Sequence, residues 1–178
     1  MSSSENITIT GGKYRGRKIS TPGGATHPMG SRERLALFNM LTGRIESARV
    51  LDAFAGSGAL GIEALSRDAL EVIFVDSSHK ATEVIKDNLS KLGIKSGADV
   101  VCGRISKIVS SLGGFDIILA DPPYDDFDLS EVERLVDLIE KDGILALSHP
   151  FEAPKLKGLK LLKTHRYAAA HISVYSKN

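Results

Sequence analysis

Cysteine is almost absent from this chain. Cys102 is the only one in 178 residues, which excludes an internal disulfide and any zinc site built on thiolates. No apolar run approaches the roughly 20 residues that a bilayer-crossing helix needs. The opening Met1-Ser2-Ser3-Ser4-Glu5 has neither the basic nor the apolar part of a secretory signal, so a cytoplasmic chain with no membrane partner is expected. The five histidines (His27, His79, His149, His165, His171) lack the i, i+4 spacing of a helical metal site. They read as surface or structural residues, and no metal is expected. There is no internal repeat, and no biased tract beyond the three serines at the start.

What is present suits a globular fold. The length fits one domain with a short appendage, and 42% apolar with 25% charged residues is ordinary for such a chain. The formal net charge of +1 hides an asymmetry. Residues 1–50 hold eight Lys/Arg against three acids, while the remainder holds 15 against 19. A basic arm on a mildly acidic body points to a polyanion met by one end of the molecule.

The arm reads as a short strand, Ile7–Thr10, a turn at Gly11-Gly12 and a basic stretch Lys13–Ile19. A Pro/Gly-rich link follows through Thr21-Pro22-Gly23-Gly24 and His27-Pro28. Ser31 is expected to cap a helix running to about Leu41, with Leu37, Phe38 and Leu41 on one face. From Arg49 the pattern alternates. Val50–Phe54, Val72–Val75, Val100–Val101, Ile117–Ala120 and Ile144–Leu147 predict buried parallel strands, which places Cys102 in packing rather than chemistry. Ala81, Val84, Ile85, Leu89 and Leu92 share one helical face, as do Val132, Leu135, Val136 and Ile139. Leu159–Arg166 and His171–Tyr175 predict a closing hairpin. The expected division is an N-terminal hairpin-and-helix extension over 1–45 and a cofactor-binding, catalytic α/β domain over 46–178, with ligands at the carboxyl ends of the strands.

The first core strand runs into Asp52-Ala53-Phe54-Ala55-Gly56-Ser57-Gly58-Ala59-Leu60-Gly61, a G-x-G-x-x-G loop opening a helix. Asp76 ends the next strand, twenty residues after Gly56. This pattern serves a dinucleotide or S-adenosylmethionine (SAM), since either has ribose hydroxyls for the acid and needs close backbone approach. Asp52 favours SAM. A pyrophosphate wants bare amides and no carboxylate close by, whereas SAM brings an ammonium and a sulfonium that a carboxylate attracts.

Asp121-Pro122-Pro123-Tyr124 follows the strand Ile117–Ala120 and so belongs to the same rim. An exocyclic amine on a nucleobase is a poor nucleophile because its lone pair is delocalised into the ring. The Asp121 carboxylate and Pro122 carbonyl can accept hydrogen bonds from its two hydrogens and localise that pair. The prolines hold the backbone, each locking φ near −65° and restricting the residue before it, and preorganised acceptors of this kind often dominate catalysis. Tyr124 offers a face for an extruded base. Asp125-Asp126 are expected in a loop over the site.

On these residues, together with Ile9–Lys18, Arg32, Arg34, Leu37-Phe38-Asn39 and Phe54–Arg67, nearly the whole chain resembles the bacterial 16S rRNA guanine-N2 methyltransferase (RsmD-like) family. The Gly-Gly-x-x-Arg-Gly stretch is its more specific part. The resemblance implies a Rossmann-like fold with a seven-stranded, mostly parallel sheet and helices on both faces. It implies SAM as donor with S-adenosylhomocysteine (SAH) as product, and N2 of a guanine in 16S rRNA, within a 30S assembly intermediate, as target. It places Asp121, Pro122 and Tyr124 in catalysis and Asp52, Phe54, Gly56, Ser57, Gly58, Asp76, Ser77, Arg104 and Ile105 around the cofactor. Lys13, Arg15, Arg17, Arg32 and Arg34 are then expected on rRNA phosphates, which position without reading sequence.

The chain departs from the family pattern at several positions. His27-Pro28-Met29 stands where Arg-Pro-Thr is usual, Leu35 where a Glu follows the second arginine, and Asp76 in place of Glu. Gly103-Arg104-Ile105 replaces a Gly-Asp-Ala whose acid meets the adenine amino group. Arginine has no acceptor, so Ser106 or a backbone carbonyl would take that bond. Three other functions fit parts of the pattern: an adenine-N6 DNA or RNA methyltransferase, an NAD-dependent oxidoreductase, and an RNA-binding assembly factor without catalysis.

Overall fold

The chain opens with an antiparallel hairpin in which β1 (Asn6–Thr8) pairs with β2 (Lys18–Ser20), Ile7 opposite Ile19. The structure, a computed structural model, describes residues 6–23, 29–167 and 170–178. The link at Gly24 and His27-Pro28 therefore lies outside the described residues. α1 (Ser31–Met40) follows. Its N-cap is Gly30, in extended backbone with no side-chain oxygen to offer. The serine cap expected at Ser31 is thus displaced by one residue, and Ser31 begins the helix itself.

The alternating region then delivers β3 (Arg49–Ala53), α2 (Ala59–Ser66), β4 (Glu71–Asp76), α3 (His79–Lys91), β5 (Ala98–Cys102), α4 (Ile105–Ile108), β6 (Phe115–Ala120), α5 (Leu129–Leu135), β7 (Ile139–His149), β8 (Leu159–Arg166) and β9 (His171–Lys177). Seven strands form one sheet in the order β5-β4-β3-β6-β7-β9-β8. Five are parallel, and β9 runs antiparallel to both β7 and β8.

Side chains alternate across the sheet. Val50, Phe74, Ile117, Leu119 and Ala146 pack with α2, α3, α1 and the hairpin. Leu51, Val75, Ile118, Leu145 and Tyr175 pack on the other face with residues of α4 and α5. Both faces are covered, which is why the central strands read as unbroken apolar runs. Ile7, Ile9, Ile19, Leu37, Phe38 and Leu41 belong to the same apolar cluster as the sheet, so the basic arm is built onto the body through a shared core.

Three local expectations are corrected. The periodic set Val132, Leu135, Val136 and Ile139 does not sit on one helix. α5 ends at Leu135, a single 3₁₀ turn spans Val136–Leu138, and Ile139 pairs with Phe115 in the sheet. Cys102 is exposed, because β5 is an edge strand. Val84 is only half-buried, while Ala81, Ile85, Leu89 and Leu92 carry the α3 contact. The opposite edge, β8, exposes five consecutive residues from Lys160 to Thr164 and has a bulge between Leu161 and Lys163.

Candidate active site

The registers Ala53↔Val75, Ala53↔Ala120 and Ala120↔Leu147 bring the carboxyl ends of β3, β4, β6 and β7 to one rim. The chain leaves β3 between β4 on one side and β6 on the other, the crevice where open α/β sheets bind ligands. The glycine loop, Asp76, Asp121 and Ser148 all leave the sheet along this rim.

The loop is held in backbone conformations that L-residues rarely adopt. Phe54 has φ of 61°, Gly56 of 54° and Gly58 of 77°. A left-handed phenylalanine costs about 1–3 kcal/mol, a strain typical of ligand sites. Two bonds hold the turn. Ala55 N–H donates to Val75 O at 2.9 Å, and Gly58 N–H to Ala55 O at 2.7 Å. A Cβ on Gly56 would meet nothing within 4 Å, whereas one on Gly61 would run into the Phe74 ring. The first glycine bares backbone to open space and the third lets α2 press on β4.

Each carboxylate of the rim is placed differently. Asp76 Oδ2 accepts from Gly56 N–H and Oδ1 from Ser78 N–H, both at 2.8 Å. A carboxylate has about four acceptor positions, so room remains for two hydroxyls, beside an exposed Ser77. Asp52 is turned inward and is 1% exposed. Its Oδ2 accepts from Gly61 N–H at 2.8 Å, so it satisfies a first-turn amide of α2 from beneath the loop. Burial raises its pKa well above the usual range against that hydrogen bond, and Asp121 and Asp76 add to the rise. One first-turn amide of α2 is thus already taken by an acid of the chain, a less open anion site than a dinucleotide loop with bare amides.

Asp121 keeps some accessible surface, yet burial of its carboxyl pushes its pKa up to about 6, opposed by the Ser148 hydroxyl, the Met29 backbone and the charge of Arg34. Pro122 is buried and Pro123 exposed. The half-buried Tyr124 is hydrogen-bonded through its hydroxyl to Ser148 Oγ, which fixes the ring. Burial, then the charge of Asp121, raises the Tyr124 pKa to about 12, so its hydroxyl stays protonated. Ser148 escapes sequence reasoning. Its only signal is a polar residue ending the apolar run of β7, and its position beside Asp121 depends on strand register. Beyond the motif, Asp125 and Asp126 are exposed, and the Phe127 ring meets Phe151 edge-on at 4.9 Å.

On the far side of Asp76, Gly103 N–H donates to Asp76 O at 2.9 Å. Arg104 is exposed and Ile105 buried. Ser106 N–H donates to Glu131 Oε2 at 3.0 Å, so α5 steadies this turn. His149 is buried, with Nδ1 against Phe151 O at 2.6 Å and Nε2 against Ser173 Oγ at 2.8 Å, a structural histidine as expected.

The basic residues of the arm separate into two kinds. Lys13, Arg15, Arg17 and Arg32 are exposed. Lys13 lies 3.7 Å from Asp68, and Arg17 donates to Lys91 O at 3.2 Å. Arg34, expected among the phosphate contacts, is corrected: it is 1% exposed. Its Nη1 donates to Met29 O and its Nη2 to Thr8 O, each at 2.7 Å, and its Nε lies 3.7 Å from Glu63. Burial lowers the Arg34 pKa, and Glu63 opposes that.

Glu63, in the middle of α2, is fully buried. It accepts from Thr10 N–H at 3.0 Å, Thr10 Oγ1 at 2.6 Å and Gly11 N–H at 2.9 Å, and it pairs with Arg67. The lone acid in Ala59-Leu60-Gly61-Ile62-Glu63-Ala64-Leu65-Ser66 is the signal that could have announced a buried cation. A second junction centres on the fully buried Asn88 of α3. Its Oδ1 accepts from Ser20 N–H at 2.9 Å, and its Nδ2 donates to Ser20 O at 2.9 Å and Ser57 O at 3.0 Å.

Among the described residues no helix is long and apolar enough to cross a membrane, and no group of three or more His, Cys, Asp or Glu is placed to hold a metal. Residues 7–176 match the family model described as Conserved hypothetical protein 95. YlbH of Bacillus subtilis is 32% identical over 182 residues, covering 96% of this chain and 99% of that one. The Ribosomal RNA small subunit methyltransferase D of Escherichia coli K12 is 36% identical over 146 residues, covering 82% and 72%. The solved structure of yhhF from Escherichia coli superposes with a TM-score of 0.87 at 30% identity, covering 98% and 99%.

Proposed function

The chain belongs to the Conserved hypothetical protein 95 family, that of the small-subunit rRNA methyltransferases D, and we propose that it methylates N2 of a guanine in 16S rRNA. The general activity is SAM-dependent methylation of rRNA. The residues fit that cofactor. Gly56 faces open space, Asp76 retains acceptor positions for ribose hydroxyls, and Asp121 at the same rim adds a carboxylate suited to a cation.

The observation that carries the proposal is Asp121 at the tip of β6, one residue past the Ala53↔Ala120 pair that joins it to the glycine loop. When bound, SAM supplies a methyl group on a sulfonium that departs as a neutral thioether. Asp121 and the Pro122 carbonyl accept from the two hydrogens of the guanine amine and aim its lone pair at the methyl carbon. The methylated amine would be acidic. A carboxylate with a pKa of about 6 is ionised at neutral pH, yet basic enough to take the released proton. Tyr124, fixed by Ser148, gives the extruded base a rigid face. The exposed Lys13, Arg15, Arg17 and Arg32 hold rRNA phosphates, presented by a partly assembled 30S particle.

The test is transfer of tritiated methyl from SAM to 30S particles and to duplex DNA, followed by mass spectrometry of nucleosides from the labelled product. Labelled 2-methylguanosine from 16S rRNA is expected. Label confined to DNA, or found on adenine N6, overturns the proposal.

A further inference from the structure

Resting on that reading of the hairpin as an rRNA-binding arm, we propose that Asn88 is a positioning residue that couples the arm to the cofactor loop. SAM and rRNA then bind with linked affinities. Asn88 lies on α3, outside both sites, and is fully buried. One amide side chain makes three bonds: it closes a two-way pair with the backbone of Ser20, at the end of β2, and it holds the carbonyl of Ser57 between Gly56 and Gly58. No side chain but an amide offers a donor pair and an acceptor in one plane.

The two ends of this bridge differ in what surrounds them. On one side lies a three-residue strand whose partner strand is equally short. An isolated two-stranded hairpin of this kind is marginal in water, so its placement depends on what it is tied to. Arg15, Arg17 and Lys18 project into solvent from the same hairpin. On the other side lies a loop held in left-handed conformations at Phe54, Gly56 and Gly58, whose posture decides how the ligand is met. Anything that orders Ser20 orders Ser57 through a rigid, desolvated link, and the reverse holds equally, because coupling between two ligands is reciprocal.

The bridge is distinct from the Glu63 junction, which fastens Thr10 and Gly11 to the middle of α2 and does not touch the loop. Glu63 sets where the arm sits, and Asn88 sets what the loop senses. Asn88→Asp keeps the acceptor for Ser20 N–H and, ionised, replaces the amide NH2 by an oxygen that repels both carbonyls, so it breaks the link at nearly constant shape.

The experiment is calorimetry of SAH binding to the full chain, alone and with 30S particles at saturation as the source of 16S rRNA, for wild type, Asn88→Asp and Asn88→Ala. Leu89→Ala, one residue along α3 and pointing into the core, serves as a destabilised control. The expected result is SAH affinity weakened about tenfold in both Asn88 variants and unchanged in Leu89→Ala. The KM for SAM should rise while kcat holds. RNA should tighten SAH by roughly fivefold or more in wild type and not in the variants. Should the Asn88 variants fail to fold, hydrogen exchange on wild type decides, since SAH must then slow exchange at Ser20 N–H. SAH affinity that follows stability alone, equal RNA enhancement in variant and wild type, or no added protection at Ser20 each overturns the proposal. RNA retention on filters that ignores Arg15→Glu and Lys18→Glu overturns the reading of the arm and, with it, the linkage. The SAH titrations without RNA then still decide whether Asn88 holds the loop.

Discussion

Glu63 and Asp52 are both buried carboxylates attached to the same helix, and the fold treats them in opposite ways. Glu63 receives two backbone N–H groups, a hydroxyl and Arg67, with Arg34 beside it. Asp52 receives one backbone N–H and faces two other acids, Asp121 and Asp76. Asp121 has more, the Ser148 hydroxyl, the Met29 backbone and the charge of Arg34, yet burial outweighs them and lifts its pKa to about 6. A carboxylate buried for structure is surrounded by donors and cations, whereas at the rim burial outweighs the donors supplied, and that imbalance marks the site.

That contrast can be broken first at Asp121. Asp121→Asn should lower methyl transfer about 10²- to 10⁴-fold, measured with tritiated SAM on 30S particles, and at neutral pH it should not destabilise the protein. The folded pKa lies above the usual 3.8, so between those values the folded chain holds protons the unfolded chain has lost. Wild-type stability therefore falls as pH rises from about 4 to 6. The variant lacks that slope and should be more stable at pH 7 by ~1–2 kcal/mol, allowing for the partial exposure of Asp121. Urea melts across that range check this, and a variant less stable than wild type at pH 7 would refute it.

The mirror experiment is Glu63→Gln, which leaves Arg34 and Arg67 without their counter-ion. A loss of about 3–5 kcal/mol is expected, read from the urea midpoint, with SAH affinity per folded molecule near normal. A stability change under 1 kcal/mol would remove the distinction between the two carboxylates.

The pH profile sharpens the comparison further. kcat/KM should fall as pH drops through about 6, where Asp121 takes up its proton. Ser148→Ala should move that limb to higher pH, because the hydroxyl that favours the ionised form is gone. An unmoved limb would remove Ser148 from the site. The smallest effect is on the arm. Arg15→Glu should weaken 30S binding most at low salt and lower the log–log salt slope by roughly 1, with SAH affinity unchanged.

Much of the sheet was legible because each central strand is covered on both faces and so announces itself as an unbroken apolar run. The carboxyl-end rim was legible for a similar reason, since both motifs follow such runs directly. Legibility failed where three-dimensional pairing decides. Arg34 sits in a basic segment beside Arg32, and only its partner Glu63, about thirty residues on, tells buried from exposed. Val136 and Ile139 obey helical spacing, yet the chain leaves the helix before reaching them. Ser148 and Asn88 act through neighbours that register and helix docking bring near, and composition carries no trace of either.

One edge of the sheet governs how the protein behaves in crowded solution. β8 offers an open row of backbone donors and acceptors, with Leu161 and Leu162 half-exposed along it. Lys160, Lys163 and the bulge between Leu161 and Lys163 interrupt that row with charge and an irregular pleat. Valine at both lysines would make a sticky ribbon that recruits a second molecule edge to edge. Light scattering of concentrated stocks should register this as growing particles, while dilute enzyme keeps its turnover.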